Sequence, residues 1–268
     1  MTLKIDTLVL NSERKVTLTT LIQKAGGEFG KFSKRPAILI LPGGGYSYCS
    51  DREAEVVAYP YLQAGYQAFV LRYSTGEHRA WPNPLEDYEQ AMALIRSKEE
   101  EWSLMGDKIA VIGFSAGGHL AASAATMAKN RPNAVILGYP ALEKDILESC
   151  QPGMDMPSPT DHVDGSTPPC FLFAARNDNL VLIHNTLNFE CALAKNDVPF
   201  ESHIYAYGGH GFSLANAAIE DEGMCPRAPR WVADSIQWLG EVLGQLSPAG
   251  MGKPFVPKEK IWTAPEEV

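Results

Sequence analysis

The chain has 268 residues, 45% of them hydrophobic, and a net charge of −9 at pH 7. That length holds one large α/β domain or two small ones, with enough apolar material for a sizeable core. The acidic balance, with no basic patch or arginine-rich run, argues against nucleic acid and anionic membrane as partners. Five cysteines (Cys49, Cys150, Cys170, Cys191, Cys225) lack metal-ligand spacing, and read as reduced thiols of a cytosolic protein. The Met1–Asp6 stretch alternates apolar and polar, unlike a signal peptide, and no apolar run is long enough to span a membrane. A cytoplasmic location is the expectation.

Residues 3–10 and 15–22 alternate in the manner of strands around an Asn11-Ser12-Glu13 turn, predicting an antiparallel hairpin. Gly26–Gly30 is a loop. Pro36–Leu41 is a continuous apolar run, as for a central strand buried on both faces. It ends in Pro42-Gly43-Gly44-Gly45-Tyr46. Three glycines leave backbone N–H groups uncovered, which suits an oxyanion site at a strand end. A flexible turn or a phosphate loop would use the same residues, but no Lys-Ser/Thr pair follows, which excludes a Walker A loop. Ser50-Asp51-Arg52-Glu53 reads as a capping box starting a helix through about Ala64. Pro60 should kink that helix near its end, and Gly65 is a natural C-cap.

Gln67–Leu71 is the next strand. Asn83, Pro84 and Glu86 then repeat the start logic for a helix running to about Glu100. Asp87, near its start, reads as structural, and Glu99-Glu100-Glu101 as a solvated face. Lys108–Ile112 is an apolar run followed by Gly113-Phe114-Ser115-Ala116-Gly117-Gly118 and an alanine-rich helix to about Lys129. Strand, G-x-S-x-G and helix is the context of a nucleophile elbow. A tight turn presents the serine hydroxyl above the sheet. The glycines two residues either side relieve close backbone approach, and the helix N–H groups face developing negative charge. A glycine-lined turn packing a helix on a sheet would share these residues. His119 is tethered too closely to serve Ser115 as a base, and reads as a packing or hydrogen-bonding residue.

Ala134–Gly138 is another buried strand. Residues 141–168 carry four prolines, two glycines and mixed charges, and read as an insertion over the site that carries specificity. Cys170–Ala174 resumes the sheet, and Asp178 follows directly. An acid beyond a buried strand on the elbow's edge can orient a histidine, or merely cap the next helix. Asp161 and Asp164 compete for the role from within the irregular insertion. Residues 182–195 form a helix and Phe200–Tyr205 a strand. The loop after it reads Tyr207-Gly208-Gly209-His210-Gly211-Phe212. The glycines let His210 swing towards a serine, a setting that His78, His162, His184 and His203 lack. Pro229–Leu243 is an amphipathic closing helix. The tail at about 246–268 carries Phe255, Ile261 and Trp262, expected to dock on the body or on a second subunit as a homodimer.

With these stretches in order, the chain resembles the α/β-hydrolase superfamily, and within it the acetyl esterases and acetylxylan esterases. The matching residues are Pro42–Tyr46, Trp81-Pro82 with Leu85-Glu86-Asp87, Gly113–His119, Asp178 with Val181, and Gly208–Phe212. Pro42 stands where the lipase-like branch has histidine, which argues against that subgroup. The resemblance implies a single α/β-hydrolase domain over 1–268, with a mostly parallel sheet of about eight strands and helices on both faces. It implies a serine esterase using Ser115, Asp178 and His210, with Gly44, Gly45 and Ala116 as the oxyanion hole. No metal or organic cofactor is implied. Tyr46, Tyr48 and Trp81 are expected near the rim, where aromatic faces suit small acetylated sugars. Some relatives are labelled xylanases, but no paired carboxylates support that activity here. The rivals are a peptidase or arylformamidase of the same fold, and a non-catalytic binding protein.

Overall fold

The computed structural model describes residues 3–26, 33–150, 152–153, 155–216, 223–247 and 250–255. Of the sequence expectations, most of the Gly26–Gly30 loop and Ile261 and Trp262 lie outside the described residues.

Eight strands form one sheet: β1 (Leu3–Asn11), β2 (Val16–Gln23), β3 (Arg35–Leu41), β4 (Gln67–Arg72), β5 (Leu104–Phe114), β6 (Ala134–Gly138), β7 (Cys170–Ala175) and β8 (Phe200–Tyr205). Their order across the sheet is β1-β2-β4-β3-β5-β6-β7-β8. The first two pairings are antiparallel, and β4 through β8 run parallel. All seven residues of β3 are buried, because a parallel strand covered on both faces needs apolar side chains pointing each way. Leu39 and Leu41 enter one core cluster with residues of α2 (Asn83–Ser97), α3 (Ala116–Met127) and α5 (His184–Lys195). Ile38 and Ile40 enter the other, with residues of α1 (Glu55–Gln63) and α6 (Arg230–Val242). The period of two along the strand thus separates two cores, one per sheet face.

Two helix starts differ from the sequence reading. Ser50 makes no side-chain cap, and Asp51–Glu53 forms a short 3-10 turn before α1 begins at Glu55. Glu53 cannot close a capping box because its side chain is turned inward and buried. Asn83 is the first helical residue of α2 and not its cap. Its amide is drawn elsewhere, donating to the His78 carbonyl at 3.0 Å and accepting from Arg14 at 3.0 Å. Arg14, in the turn between β1 and β2, also binds Glu86 and Asp87. Asp87 is fully buried and accepts the Ser74 N–H at 2.8 Å, a structural anchor. Helix α2 ends at Ser97, three residues before Glu100, when the Lys98 N–H splits between Leu94 and Ile95. The end of α1 is as expected. Gly65, at φ +100°, gives its N–H to Leu62 while Tyr66 gives its own to Tyr61, the paired bonds of a Schellman cap.

The register brings one edge of the sheet into line. Leu41 lies beside Gly113, Phe114 beside Gly138, and Ala175 beside Tyr205. The loops after β3, β5, β6, β7 and β8 therefore emerge together at the carboxyl end, where open α/β sheets collect their sites. The 141–168 segment holds α4 (Lys144–Cys150) and a 3-10 turn at Pro159–His162. It is irregular in outline, yet Leu142, Ile146, Leu147 and Met156 are buried in the core cluster of the α2–α3 face. After α6, Leu246–Ser247 (β9) and Gly250–Met251 (β10) form a small antiparallel ribbon. Phe255 gives its N–H to Glu241, while its ring is exposed.

Candidate active site

Strand β5 runs into α3 through a single residue, Ser115, at φ 52° and ψ −117°. A serine held in this sparsely populated region costs free energy that the surrounding contacts must supply. The contacts are tight on both sides. A Cβ on Gly113 would lie 2.1 Å from the Gly117 carbonyl oxygen, and one on Gly117 would lie 2.1 Å from that of Leu41. Helix α3 is buried from Ala116 to Thr126, and most of that stretch is alanine or glycine, which lets it pack closely on the sheet. The Ser115 N–H is bonded to Gly138, and its carbonyl accepts from His119 and Ala141.

The Ser115 hydroxyl faces His210 Nε2 at 2.9 Å. His210 Nδ1 lies 2.7 Å from Asp178 Oδ2. Asp178 follows β7, and its other oxygen accepts the N–H groups of Leu180 and Val181, both at 2.9 Å. It does not cap α5, which begins at His184. With one oxygen fixed by backbone, the other is aimed at the imidazole. The His210 loop is tied to the same turn, since Asn177 accepts the N–H groups of Gly208 at 3.0 Å and Gly209 at 3.3 Å. A hydroxyl, an imidazole and a buried carboxylate in this order can move a proton from oxygen to nitrogen as the oxygen attacks.

The competing acids are elsewhere. Asp164 is exposed and pairs with Ser166 and Arg131, which hold its carboxyl well below the usual range. Asp161 is exposed in the 3-10 turn. His78, His184 and His203 face Glu77, Asp145 and Glu201 respectively.

A cavity of about 320 Å³ opens onto Ser115 and His210. Gly44, Gly45 and Ala116 line it, and Ala116, as the first helical residue of α3, has no intrahelical acceptor for its N–H. Its apolar wall comes from Ala141, Ile146, Leu147 and Met156 of the inserted segment, and from Leu180 and Val181 after β7. The three rim aromatics separate. Tyr48 lines the cavity and is 59% exposed. Tyr46 lines it but is buried, with its hydroxyl spent on His119. Trp81 does not reach the lining. Its ring packs edge-on against His119, with centroids 5.5 Å apart.

Sequence reasoning missed two residues here. Glu53 is buried, lines the cavity, accepts the Gly43 N–H at 2.8 Å and accepts the Tyr139 hydroxyl at 2.5 Å. Burial pushes its carboxyl above the ordinary value, while those two hydrogen bonds pull the other way. Tyr139, at φ 35° after β6, sets its ring 5.0 Å from that of His210. Glu53 was hidden by a capping signature, and nothing local marks Tyr139. Among the described residues no cluster of three or more His, Cys, Asp or Glu could hold a metal ion. No helix among them is long and apolar enough to cross a membrane.

The fold has a solved counterpart in MGS-M1, an α/β-hydrolase enzyme from a Medee basin deep-sea metagenome library. It is 43% identical, with a TM-score of 0.84, over 90% of this chain and 98% of that one. The chain belongs to the α/β-hydrolase family. Within these hydrolases, the BD-FAE family profile matches residues 30–155. Endo-1,4-beta-xylanase B of Butyrivibrio fibrisolvens is 31% identical over 211 residues, 68% of this chain and 33% of that protein. An acetylxylan esterase of Xylanibacter ruminicola is 30% identical over 198 residues, 66% of this chain and 41% of that one. The chain therefore matches less than half the length of those two relatives. The resemblance to α/β-hydrolases, and to their acetylxylan-esterase relatives, is borne out.

Proposed function

We propose that the protein is a serine carboxylic-ester hydrolase of short acyl groups, acetyl above all, carried on small sugars or similar alcohols. Ser115 attacks the ester carbonyl, His210 takes its proton, and Asp178 holds the imidazole and stabilises the imidazolium. Backbone N–H groups of Gly44, Gly45 and Ala116 receive the oxyanion. His210 then returns the proton to the leaving alcohol, and water hydrolyses the acyl-enzyme with the same histidine as base. Every proton in the scheme moves among these side chains, substrate and water.

One observation carries this reading: His210 sits within hydrogen-bond distance of both Ser115 and Asp178, beside an apolar-walled cavity. A short acyl group is in keeping with a cavity of about 320 Å³ whose apolar wall includes Ile146, Leu147 and Met156, at the low end for ligand sites. The acetylxylan esterase relative supports the same choice of acyl group. For the alcohol side, Tyr48 is the aromatic best placed to meet a sugar face, given its exposure at the cavity. Glycoside hydrolysis uses two flanking carboxylates. Among the described residues Glu53 alone supplies a carboxylate to the lining, and it is engaged by Gly43 and Tyr139. The xylanase name of the Butyrivibrio relative is therefore not carried over.

A substrate panel tests the proposal: aryl acetate, acetylated xylo-oligosaccharides, acetylated and deacetylated xylan, an acyl peptide and an N-formyl arylamide. Deacetylation of the aryl ester and the oligosaccharides is expected to dominate, without release of reducing ends from deacetylated xylan. A higher kcat/KM on the peptide or the formamide would replace the esterase reading with one of its rivals.

A further inference from the structure

The buried carboxylate of Glu53 has no part in the proton path, yet two of the site's loops bond to it and a third is joined through one of them. Its Oε2 accepts the Gly43 N–H at 2.8 Å, in the glycine loop after β3. Its Oε1 accepts the Tyr139 hydroxyl at 2.5 Å, just beyond β6. Tyr139 in turn accepts the Ser213 N–H at 3.0 Å, in the loop that carries His210. Ser213 Oγ closes the circuit by donating to the carbonyl of Arg52, the residue before Glu53, at 2.5 Å. Gly43 is wedged between the carboxylate and the nucleophile. A Cβ there would meet Glu53 Oε2 at 2.6 Å, the Phe114 carbonyl oxygen at 2.8 Å and Ser115 Cβ at 3.0 Å.

Burying a carboxylate is costly unless its oxygens find donors, and the same low-dielectric surroundings make those bonds stiff. Apolar side chains could fill the space at lower cost. A buried charge bonded to two loops that face one serine instead acts as a rigid tie between them. Oxyanion stabilisation depends on donors already fixed where the charge will develop, so a loop free to rock would lose it.

We propose that Glu53 is a positioning residue for the oxyanion site. Its carboxylate fixes the Gly43 peptide, and with it the Gly44-Gly45 turn, against Ser115. Through Tyr139 it also holds the Ser213 peptide behind His210. This rests on the ester-hydrolase reading for its kinetic consequence, but not for its geometry. The charged and titratable groups around the carboxylate are Arg52 on its own turn, Tyr139 after β6, Tyr73 after β4 and His210 after β8.

The test compares wild type with Glu53→Gln and Tyr139→Phe. An aryl trifluoromethyl ketone serves as the probe, because its serine adduct puts an anionic oxygen in the oxyanion site. Glu53→Gln keeps the volume and one acceptor but loses the charge and the second acceptor. Its kcat and its ketone affinity should fall together, by about 10–100-fold, with KM within about threefold. Tyr139→Phe keeps the ring and the Gly43 bond, and should show the same split at about 3–10-fold. It decides the matter if Glu53→Gln does not fold. The Gly43 amide resonance, followed by NMR in wild type and variant, reads the tie without turnover and should shift strongly when the carboxylate becomes an amide. Folded variants whose ketone affinity and kcat stay within twofold of wild type would overturn the proposal. So would a loss confined to KM, or a Gly43 amide that does not move. A wild type that neither turns over esters nor binds the ketone would sink the ester-hydrolase reading instead, and the amide shift would still judge the tie.

Discussion

Tyr46 and His119 meet in the core through a 2.7 Å hydrogen bond between the phenol and Nδ1. Nε2 of the same ring lies 2.8 Å from the Pro157 carbonyl. A carbonyl only accepts, so Nε2 carries the ring proton and Nδ1 accepts a hydrogen bond from the Tyr46 hydroxyl. One neutral imidazole thereby joins the glycine loop, α3 and the inserted segment. Burial holds its pKa down at about 4, against 6.5 ordinarily, with the Pro157 bond opposing. Between those values the unfolded chain takes up the proton and the folded one does not, so stability falls as pH falls from about 6.5 towards 4. The loss attached to His119 should be on the order of 3 kcal/mol across that window. Thermal melts of wild type and His119→Asn between about pH 4 and 7 check it. The variant should start less stable at neutral pH and lose less on acidification.

Asp178→Asn should abolish most activity while the fold persists. The Leu180 and Val181 N–H groups already occupy Oδ1, so an amide would present its nitrogen to His210 and favour the wrong tautomer. A fall of about 10⁴-fold in kcat is the expected scale for such a change. Asp161→Asn and Asp164→Asn should stay within about twofold of wild type, Asp164 being an exposed partner of Arg131. Steady-state kinetics on an aryl acetate separate the three, and a dead Asp164 variant beside an active Asp178 variant would reverse the assignment.

Gly113→Ala should damage the fold before it damages the chemistry. The added methyl would sit 2.1 Å from the Gly117 carbonyl oxygen and 2.7 Å from Ala121 Cβ, forcing α3 off the sheet. Overpacking of this kind costs about 1–3 kcal/mol, and more where backbone is the obstacle. Thermal unfolding should show Tm several degrees lower, and an unchanged Tm would mean that the strand-to-helix contact is looser than described.

The apolar wall of the cavity gives a prediction about acyl chain length. Each methylene that does not fit should cost about 1–3 kcal/mol of transition-state binding, so aryl acetate should outrun aryl octanoate by several powers of ten. Met156 and Leu147 come from the inserted segment and face the cavity. Met156→Ala and Leu147→Ala should move the optimum towards butyrate or hexanoate with little loss on acetate. A series of kcat/KM values over acyl length reads this directly.

How far the sequence reveals the site depends on the reach of the interactions. The elbow, the acid after β7 and the histidine after β8 are legible because each is set by local backbone: a glycine-relieved turn, or a residue next to a buried strand. The fold is legible for the same reason, since continuous apolar runs mark the parallel strands. Glu53 and Asn83 mislead because a cap signature is local, whereas their actual partners lie far along the chain. Gly43 and Tyr139 claim the first, Arg14 and His78 the second. Trp81 misleads because proximity to a motif in sequence does not say which side of His119 the ring takes. The wall of the cavity is illegible for a further reason. Ile146, Leu147 and Met156 belong to a stretch with no strand or long-helix period, so only the packed chain assigns them a direction.

The most direct test of the account is to treat the purified protein with a fluorophosphonate and locate the adduct by intact mass and peptide mapping, alongside Ser115→Ala. One phosphonyl group per chain is expected, on Ser115, with loss of aryl-acetate hydrolysis in step with labelling. Ser115→Ala should take up no label and retain less than about one part in 10⁴ of the turnover. A label on another residue, or a Ser115→Ala protein that still hydrolyses the ester at near wild-type rate, would contradict it.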